Sequence, residues 1–279
     1  MKIYDCFTFY NEFELLELRL KELYDHVDRF VLVEANRTFQ NAEKPFYFTE
    51  QMDDPRWKKY SEKITIVHVS NMPADTDAWG RERHQRDAIV QAVANAAPED
   101  IIMIGDADEI PRPETVDYLR TSERSIWGFR MPLFNFRYNY MLINQDCYTV
   151  WSGALRKKLL VSAEDFRRMR HALNDFEYGA KDSMLEIVEH AGWHFTYLGN
   201  EDFAKTKIQS FAHAETNKPE IINQLNIEAS IAKGTGIIQT DVAYKFAPVA
   251  VDDYLPSYVQ TSTNLIAGEY PSAKEFLPK

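Results

Sequence analysis

Ile101, Ile102, Met103 and Ile104 form an apolar run that stops at Gly105, and Asp106, Ala107, Asp108 and Glu109 follow before the stiff segment Ile110-Pro111-Arg112-Pro113. Side chains two residues apart on an extended chain share a face. The spacing therefore sends Asp106 and Asp108 to one side, where their hard oxygen donors can reach a single divalent cation and a diphosphate bridged by it. An isolated Asp-x-Asp also fits a solvated acidic turn that caps the next helix. Context favours the ligand site: a buried strand that runs into a proline-stiffened loop is where open α/β sheets place ligands.

Such a turn needs a sheet to present it. Residues 3–9 pattern as a first strand, and Asn11 and Glu12 open a helix with Phe13, Leu16, Leu20 and Leu23 on one face. Residues 29–34 form a second strand ending on Glu34, residues 64–69 a third, and residues 81–97 a helix whose stripe runs Ile89, Ala92, Val93, Ala96 into the strand 101–104. Alternating strands and helices predict an α/β fold with a mostly parallel central sheet flanked by helices. A helix that leads into a parallel strand starts over the carboxyl edge of the sheet, beside Asp106 and Asp108. Its stripe, extended backwards, meets Glu82, Gln85 and Arg86 on a face that should be buried, with Arg83 on the adjoining flank. Guanidinium grips phosphate oxygens through a planar fork, so Arg83 and Arg86 are candidates for a diphosphate. An exposed first turn laced with salt bridges is the other reading.

Beyond Pro113, residues 125–143 are dense in Trp, Phe, Tyr and Asn. That mixture predicts β-structure whose aromatics either hold the apolar face of a sugar or simply form core. Residues 191–199 pattern as a strand ending in a glycine turn, and residues 200–213 as a helix with Asp202, Lys205 and Lys207 near its start. His194 and His213 are chemically competent to join the same cation, although a lone histidine is more often a satisfied core or surface group. Periodicity weakens towards the end of the chain, so residues 241–279 are expected as a C-terminal extension packed on a domain formed by residues 1–240.

A net charge of −11 disfavours nucleic acid and anionic membrane surfaces as partners, and an anionic ligand would need a cation to bind. Cys6 and Cys147 are too few for a disulfide scaffold and fit free thiols in a reducing compartment. Met1-Lys2-Ile3 leads straight into a strand with no signal-peptide pattern, and no stretch approaches 18 uncharged apolar residues. The expectation is a soluble, cytoplasmic protein without an integral membrane segment.

Together these pieces resemble glycosyltransferase family 17, whose best-known members attach the bisecting β-1,4-linked N-acetylglucosamine to the core mannose of N-glycans. The likeness runs in order along residues 3 to about 215. It comprises Tyr4-Asp5-Cys6-Phe7 with Phe9, Asn11 and Glu12; Val31-Leu32-Val33-Glu34 with Thr38, Phe39, Lys44 and Pro45; Arg83 with Arg86; Asp106-Ala107-Asp108-Glu109-Ile110-Pro111; and Gly192-Trp193-His194-Phe195 followed by Lys207 and His213. The Asp-x-Asp-Glu-Ile-Pro and Gly-Trp-His-Phe runs are specific as a pair and weak singly. Well-known members carry a membrane anchor and stem, whereas this chain is expected to start at the catalytic domain. The expectation is therefore a bacterial or viral-type soluble enzyme that decorates another glycan.

The resemblance implies a GT-A-like nucleotide-sugar-binding fold, a sugar-nucleotide donor with UDP-N-acetylglucosamine (UDP-GlcNAc) favoured, a glycan or glycoconjugate acceptor, Mn2+ or Mg2+, and inversion at the anomeric carbon. Asp108 would hold the metal directly and Asp106 directly or through water and ribose, with His194 or His213 as a further ligand. Arg83 and Arg86 would contact phosphate, Glu34 the ribose or base, and Asn11 and Glu12 the neighbouring edge. Glu109, Asp202 and Glu215 are the candidate bases for the acceptor hydroxyl. Two other activities remain open: a metal-dependent phosphohydrolase or nucleotidyltransferase using the same acidic cluster, and a noncatalytic glycan-binding protein using the aromatic region alone.

Overall fold

In a computed structural model the described residues are 1–144, 148–176, 183–237 and 244–278. Cys147 and the expected boundary at 240/241 lie outside them. Among the described residues eleven strands join one sheet system: β1 Ile3–Phe9, β2 Arg29–Ala35, β3 Ile64–Val69, β4 Ile101–Asp106, β5 Glu109–Pro111, β6 Ile126–Asn135, β7 Tyr140–Leu142, β8 Tyr148–Arg156, β9 Leu185–Val188, β10 Gly192–Thr196 and β11 Phe246–Pro248. The main order is β11-β7-β6-β8-β4-β1-β2-β3, with β9 and β10 also paired to β6, and β5 to β10.

The sheet is mixed, which corrects the expectation of a mostly parallel one. Its first part, β3-β2-β1-β4, is parallel. From β4 onwards the partners β4/β8, β8/β6, β6/β7 and β7/β11 are all antiparallel. The helix-strand alternation on which the expectation rested ends near residue 121, with the helix Pro113–Thr121. After it, β6 and β7 are joined by only residues 136–139, too short for the crossover a parallel pair needs.

Period-2 alternation in β1 decides which side each residue serves. Ile3, Phe7 and Phe9 pack with Leu16, Leu20 and Leu23 of the helix Phe13–Leu23, whereas Cys6 packs with Ile89 and Val93 on the opposite face. The helix expected at 81–97 spans Ala78–Ala92. It starts early because the Asp77 side chain caps it, accepting from the Gly80 N–H at 2.8 Å. The polar residues extrapolated onto its inner face are where the stripe put them: Gln85 and Arg86 are buried, and Gln85 donates to the Val33 carbonyl at 2.8 Å. Val249, Tyr254, Leu255 and Val259 of the C-terminal part share a core cluster with Leu15, Leu18 and Trp193.

Candidate active site

Asp5 shares the inward parity of Ile3 and Phe7 in β1 and is fully buried. Its partner is Arg19, which donates from Nε and Nη2 to the two Asp5 oxygens at 2.7 and 2.6 Å. The remaining nitrogen, Nη1, donates to the main-chain carbonyls of Asp106 at 3.0 Å and Glu109 at 2.9 Å, with Ala107 at 3.4 Å. A buried guanidinium thus holds the acidic turn by its backbone, and a buried carboxylate holds the guanidinium.

β4 ends at Asp106, and residues 107–108 turn before β5 begins. The extended-chain alternation that was to align Asp106 with Asp108 therefore stops one residue too early, and the two carboxylates meet different cations. Asp106 accepts from Arg86 Nη2 at 2.8 Å and Arg167 Nη2 at 2.9 Å. Burial alone would raise its pKa, but these guanidiniums hold it well below the usual carboxylate range. Asp108 accepts from Lys207 Nζ at 2.7 Å, and His194 Nε2 stands 3.6 Å from its other oxygen. Here too burial opposes ionisation, and the Lys207 charge, foremost among its neighbours, overcomes it.

Glu109 folds back over β4. One oxygen accepts from the Asp106 N–H at 3.0 Å and the other from Arg167. Gly105 leaves room for this, since a Cβ there would stand 3.1 Å from the Glu109 carboxylate and 3.0 Å from the Ser152 Cβ. β5 and β10 then zip together, with Glu109 opposite His194 and the Phe195 N–H donating to the Asp108 carbonyl at 2.8 Å. Gly192 permits that approach, because any Cβ would fall 2.1 Å from the Ile110 carbonyl oxygen. The two most specific sequence runs are thus hydrogen-bonded neighbours, and their union places His194 beside Asp108.

Two cavities are lined by side chains that reach the turn, one by Lys207 and the other by Arg170. A cleft of about 480 Å³ opens at the carboxyl ends of β1 and β2, lined by Tyr10, Glu12, Arg37, Phe39, Lys44 and Lys207 among others. Lys44 is shared between the rings of Tyr10 and Tyr47 at 5.2 Å each, and burial lowers its pKa to about 8. A second cavity, about 740 Å³, lies against Trp151 and Arg170.

A family model described as glycosyltransferase family 17 matches residues 1–250. This chain belongs to glycosyltransferase family 17. It is 24% identical over 221 residues to the β-1,4-mannosyl-glycoprotein 4-β-N-acetylglucosaminyltransferase of Rattus norvegicus, an alignment covering 70% of this chain and 40% of that protein. It is 26% identical over 212 residues to the protein of the same name in Homo sapiens, covering 67% and 39%. The chain thus matches about two fifths of the length of these relatives. Among solved structures, it is similar at a TM-score of 0.39 and 9% identity to the 2-C-methyl-D-erythritol 4-phosphate cytidylyltransferase of Francisella tularensis, covering 75% of this chain and 100% of that one.

In this family 17 chain the residues singled out from sequence divide into two groups. Asp106, Asp108, Glu109, Arg86 and His194 meet around the turn. Glu12 lies just beyond: one of its oxygens accepts the Tyr10 and Asn11 N–H groups at 2.9 and 3.1 Å, burial raises its pKa, and the Lys207 charge opposes that rise. Asn11 lines a separate recess beside Phe13 and Phe203. Glu34 is buried behind the cleft, accepting from the Thr49 N–H at 3.2 Å. Arg83 is exposed on its helix. His213 is exposed, 2.6 Å from Glu215 and edge-on to Trp79. Arg86 is committed to the carboxylates of Asp106, Glu82 and Glu164, which makes it a counter-charge within the protein. Asp202 is exposed, 3.7 Å from Lys205.

Sequence reasoning did not find Arg19, Arg167 or Arg170. Arg19 left a signal: Asp5 stands on the apolar parity of β1, and Arg19 lies between Leu18 and Leu20 in the next helix. A buried acid followed by a buried base points to a pair. Arg167 and Arg170 left none, being two arginines in a charged stretch of short helices.

Proposed function

We propose that this protein is a metal-dependent, inverting glycosyltransferase that moves a sugar, N-acetylglucosamine by preference, from a UDP-sugar to a glycan hydroxyl. The observation that carries the reading is Asp108, a buried carboxylate between His194 and Lys207, the latter also lining the 480 Å³ cleft. The cleft offers aromatic faces in Tyr10 and Phe39 for a base and cations in Arg37, Lys44 and Lys207 for a diphosphate.

Among the described residues no group of three or more His, Cys, Asp or Glu is set to hold a metal ion. The donor chemistry still fits a hard divalent ion, since Mg2+ commonly takes one or two carboxylates and completes its shell with substrate phosphate and water. Asp108 would hold it, with His194, whose Nε2 is too far from Asp108 for a hydrogen bond and whose Nδ1 has no partner among the described residues. Bound there, it would stabilise the negative charge that develops on the departing diphosphate. Lys207 supplies a fixed positive charge at the same carboxylate and would share that task. Arg86 and Arg167 keep Asp106 ionised and in place. Inversion requires a base opposite the leaving group. Of the candidates, Glu109 is sealed under Arg167, Asp202 faces Lys205 and Glu215 faces His213, so none is assigned.

Calorimetric titration with UDP-GlcNAc, with and without manganese, tests the reading. Donor binding that requires metal supports transfer, and glycan binding with no nucleotide affinity would sink it. His194→Ala should raise the manganese concentration for half-maximal transfer by at least roughly 10-fold, and His213→Ala should not. The reverse order would move the ligand to His213.

Lys44 adds a pH dependence. Its pKa of about 8 means that the cleft loses the Lys44 charge above that pH while Arg37 and Lys207 stay cationic, so donor affinity should fall as pH rises through 8, and Lys44→Gln should flatten the profile. Folding responds with the opposite sign. The unfolded chain keeps this proton to the ordinary 10.5, so between about 8 and 10.5 it binds more protons than the folded protein, and the Lys44 contribution to stability rises with pH. A donor affinity unchanged from pH 7 to 9 would remove Lys44 from the site.

A further inference from the structure

The 740 Å³ cavity belongs to no part of the donor site, yet it touches the same turn by two routes. The Trp151 ring lies 4.4 Å from the His194 ring, edge to face, and Arg170 Nη1 is 3.9 Å from Glu109 Oε1. Its other walls are mainly apolar or aromatic, with Leu133, Tyr244 and Phe246 among them, and Thr149, His171 and Asn174 add polar groups. Among the described residues that line it, the only ionisable groups that can carry positive charge are Arg170 and His171, and there is no carboxylate. In a chain with 43 acidic residues against 32 Lys and Arg, a large concavity without an acid among its described walls is a marked local inversion of charge.

Arg170 is also under-committed. Arg167 donates to Glu109, whereas Arg170 stands at ion-pair distance from that carboxylate without a hydrogen bond among the described residues. Burial and the adjacent Arg167 both penalise its charge, a penalty that an incoming anion would relieve. Guanidinium matches a planar carboxylate through two parallel N–H bonds, and an indole face suits the apolar face of a pyranose.

We propose that this cavity is the acceptor subsite and that it takes an acidic sugar, a hexuronic acid whose carboxylate meets Arg170 while its ring lies against Trp151. The acceptor role rests on the transferase reading; the preference for an acidic sugar can be measured without it. Ligand-observed NMR titration of the full chain with methyl β-D-glucuronide and methyl β-D-glucoside should show the uronide binding more tightly by roughly 10-fold, the gain of one charge-assisted bond. Arg170→Gln should bring the two sugars within about 2-fold of each other. Asn174→Asp is a milder probe. Asn174 Oδ1 accepts from the Val150 N–H at 2.6 Å, and an aspartate keeps that oxygen while adding a negative charge to the cavity wall. It should abolish or reverse the preference. Equal binding of the two sugars to the unmodified protein, or binding of neither, overturns the proposal. Acceptor-independent hydrolysis of UDP-GlcNAc is read in parallel. If the uronide preference is present and Arg170-dependent while the nucleotide sugar is neither bound nor cleaved, the acidic-sugar site stands and the transferase reading fails.

Discussion

Asp108→Asn should lower glycosyl transfer by roughly 10²–10³-fold while leaving the protein folded. The residue is only 7% exposed, and its ionised form is held by Lys207 at 2.7 Å with His194 near by. An amide keeps the shape and one acceptor oxygen, so Lys207 can retain a hydrogen bond. What disappears is the negative charge that would anchor a divalent ion and hold the lysine where a diphosphate can use it. The variant should show a near-native circular dichroism spectrum and little metal-dependent binding of UDP-GlcNAc. A folded variant with full donor affinity would remove Asp108 from the site.

For stability, the largest single effect is expected at Arg86. Its guanidinium is 3% exposed and meets Glu82 at 2.6 Å, Asp106 at 2.8 Å and also Glu164. Burial works against its charge, but the three carboxylates hold it firmly protonated. Arg86→Ala leaves them facing one another with Arg167 as the remaining partner of Asp106, and should cost about 3–5 kcal/mol. Urea denaturation measures it as a lower midpoint at unchanged slope. A variant of native stability that has lost UDP affinity would return Arg86 to the phosphate contact expected from its helix position.

Much of the parallel half of the fold was legible. β1 and β3 have the bounds their patterns predict, and β2 and β4 are longer by one and two residues, because short apolar runs between polar loops leave few alternatives. The antiparallel half was not. Residues 125–143 announced aromatic β-structure, but partner choice there depends on long-range register, to which local pattern is blind. The site divides along the same line. Asp106, Asp108 and Glu109 are visible because they sit together in sequence, and His194 because a distinctive run surrounds it. Arg167 was hidden, since it joins the turn from 61 residues away and nothing in its surroundings distinguishes it from solvated surface charge, whereas Lys207, 99 residues away, stood out in the pattern but without a role. Arg86 was picked out for the right location and a different duty, because position on a helix face tells where a guanidinium sits but not how many carboxylates await it.

Arg19 grips the acidic turn through main-chain oxygens, and such oxygens are present whatever side chain follows them. The scaffold and the chemistry it displays are therefore separately adjustable. Libraries randomised at positions 106 to 108 would inherit the same backbone socket and could explore other ligand sets, whereas Asp5 and Arg19 must be left untouched for any member of the library to present a site at all.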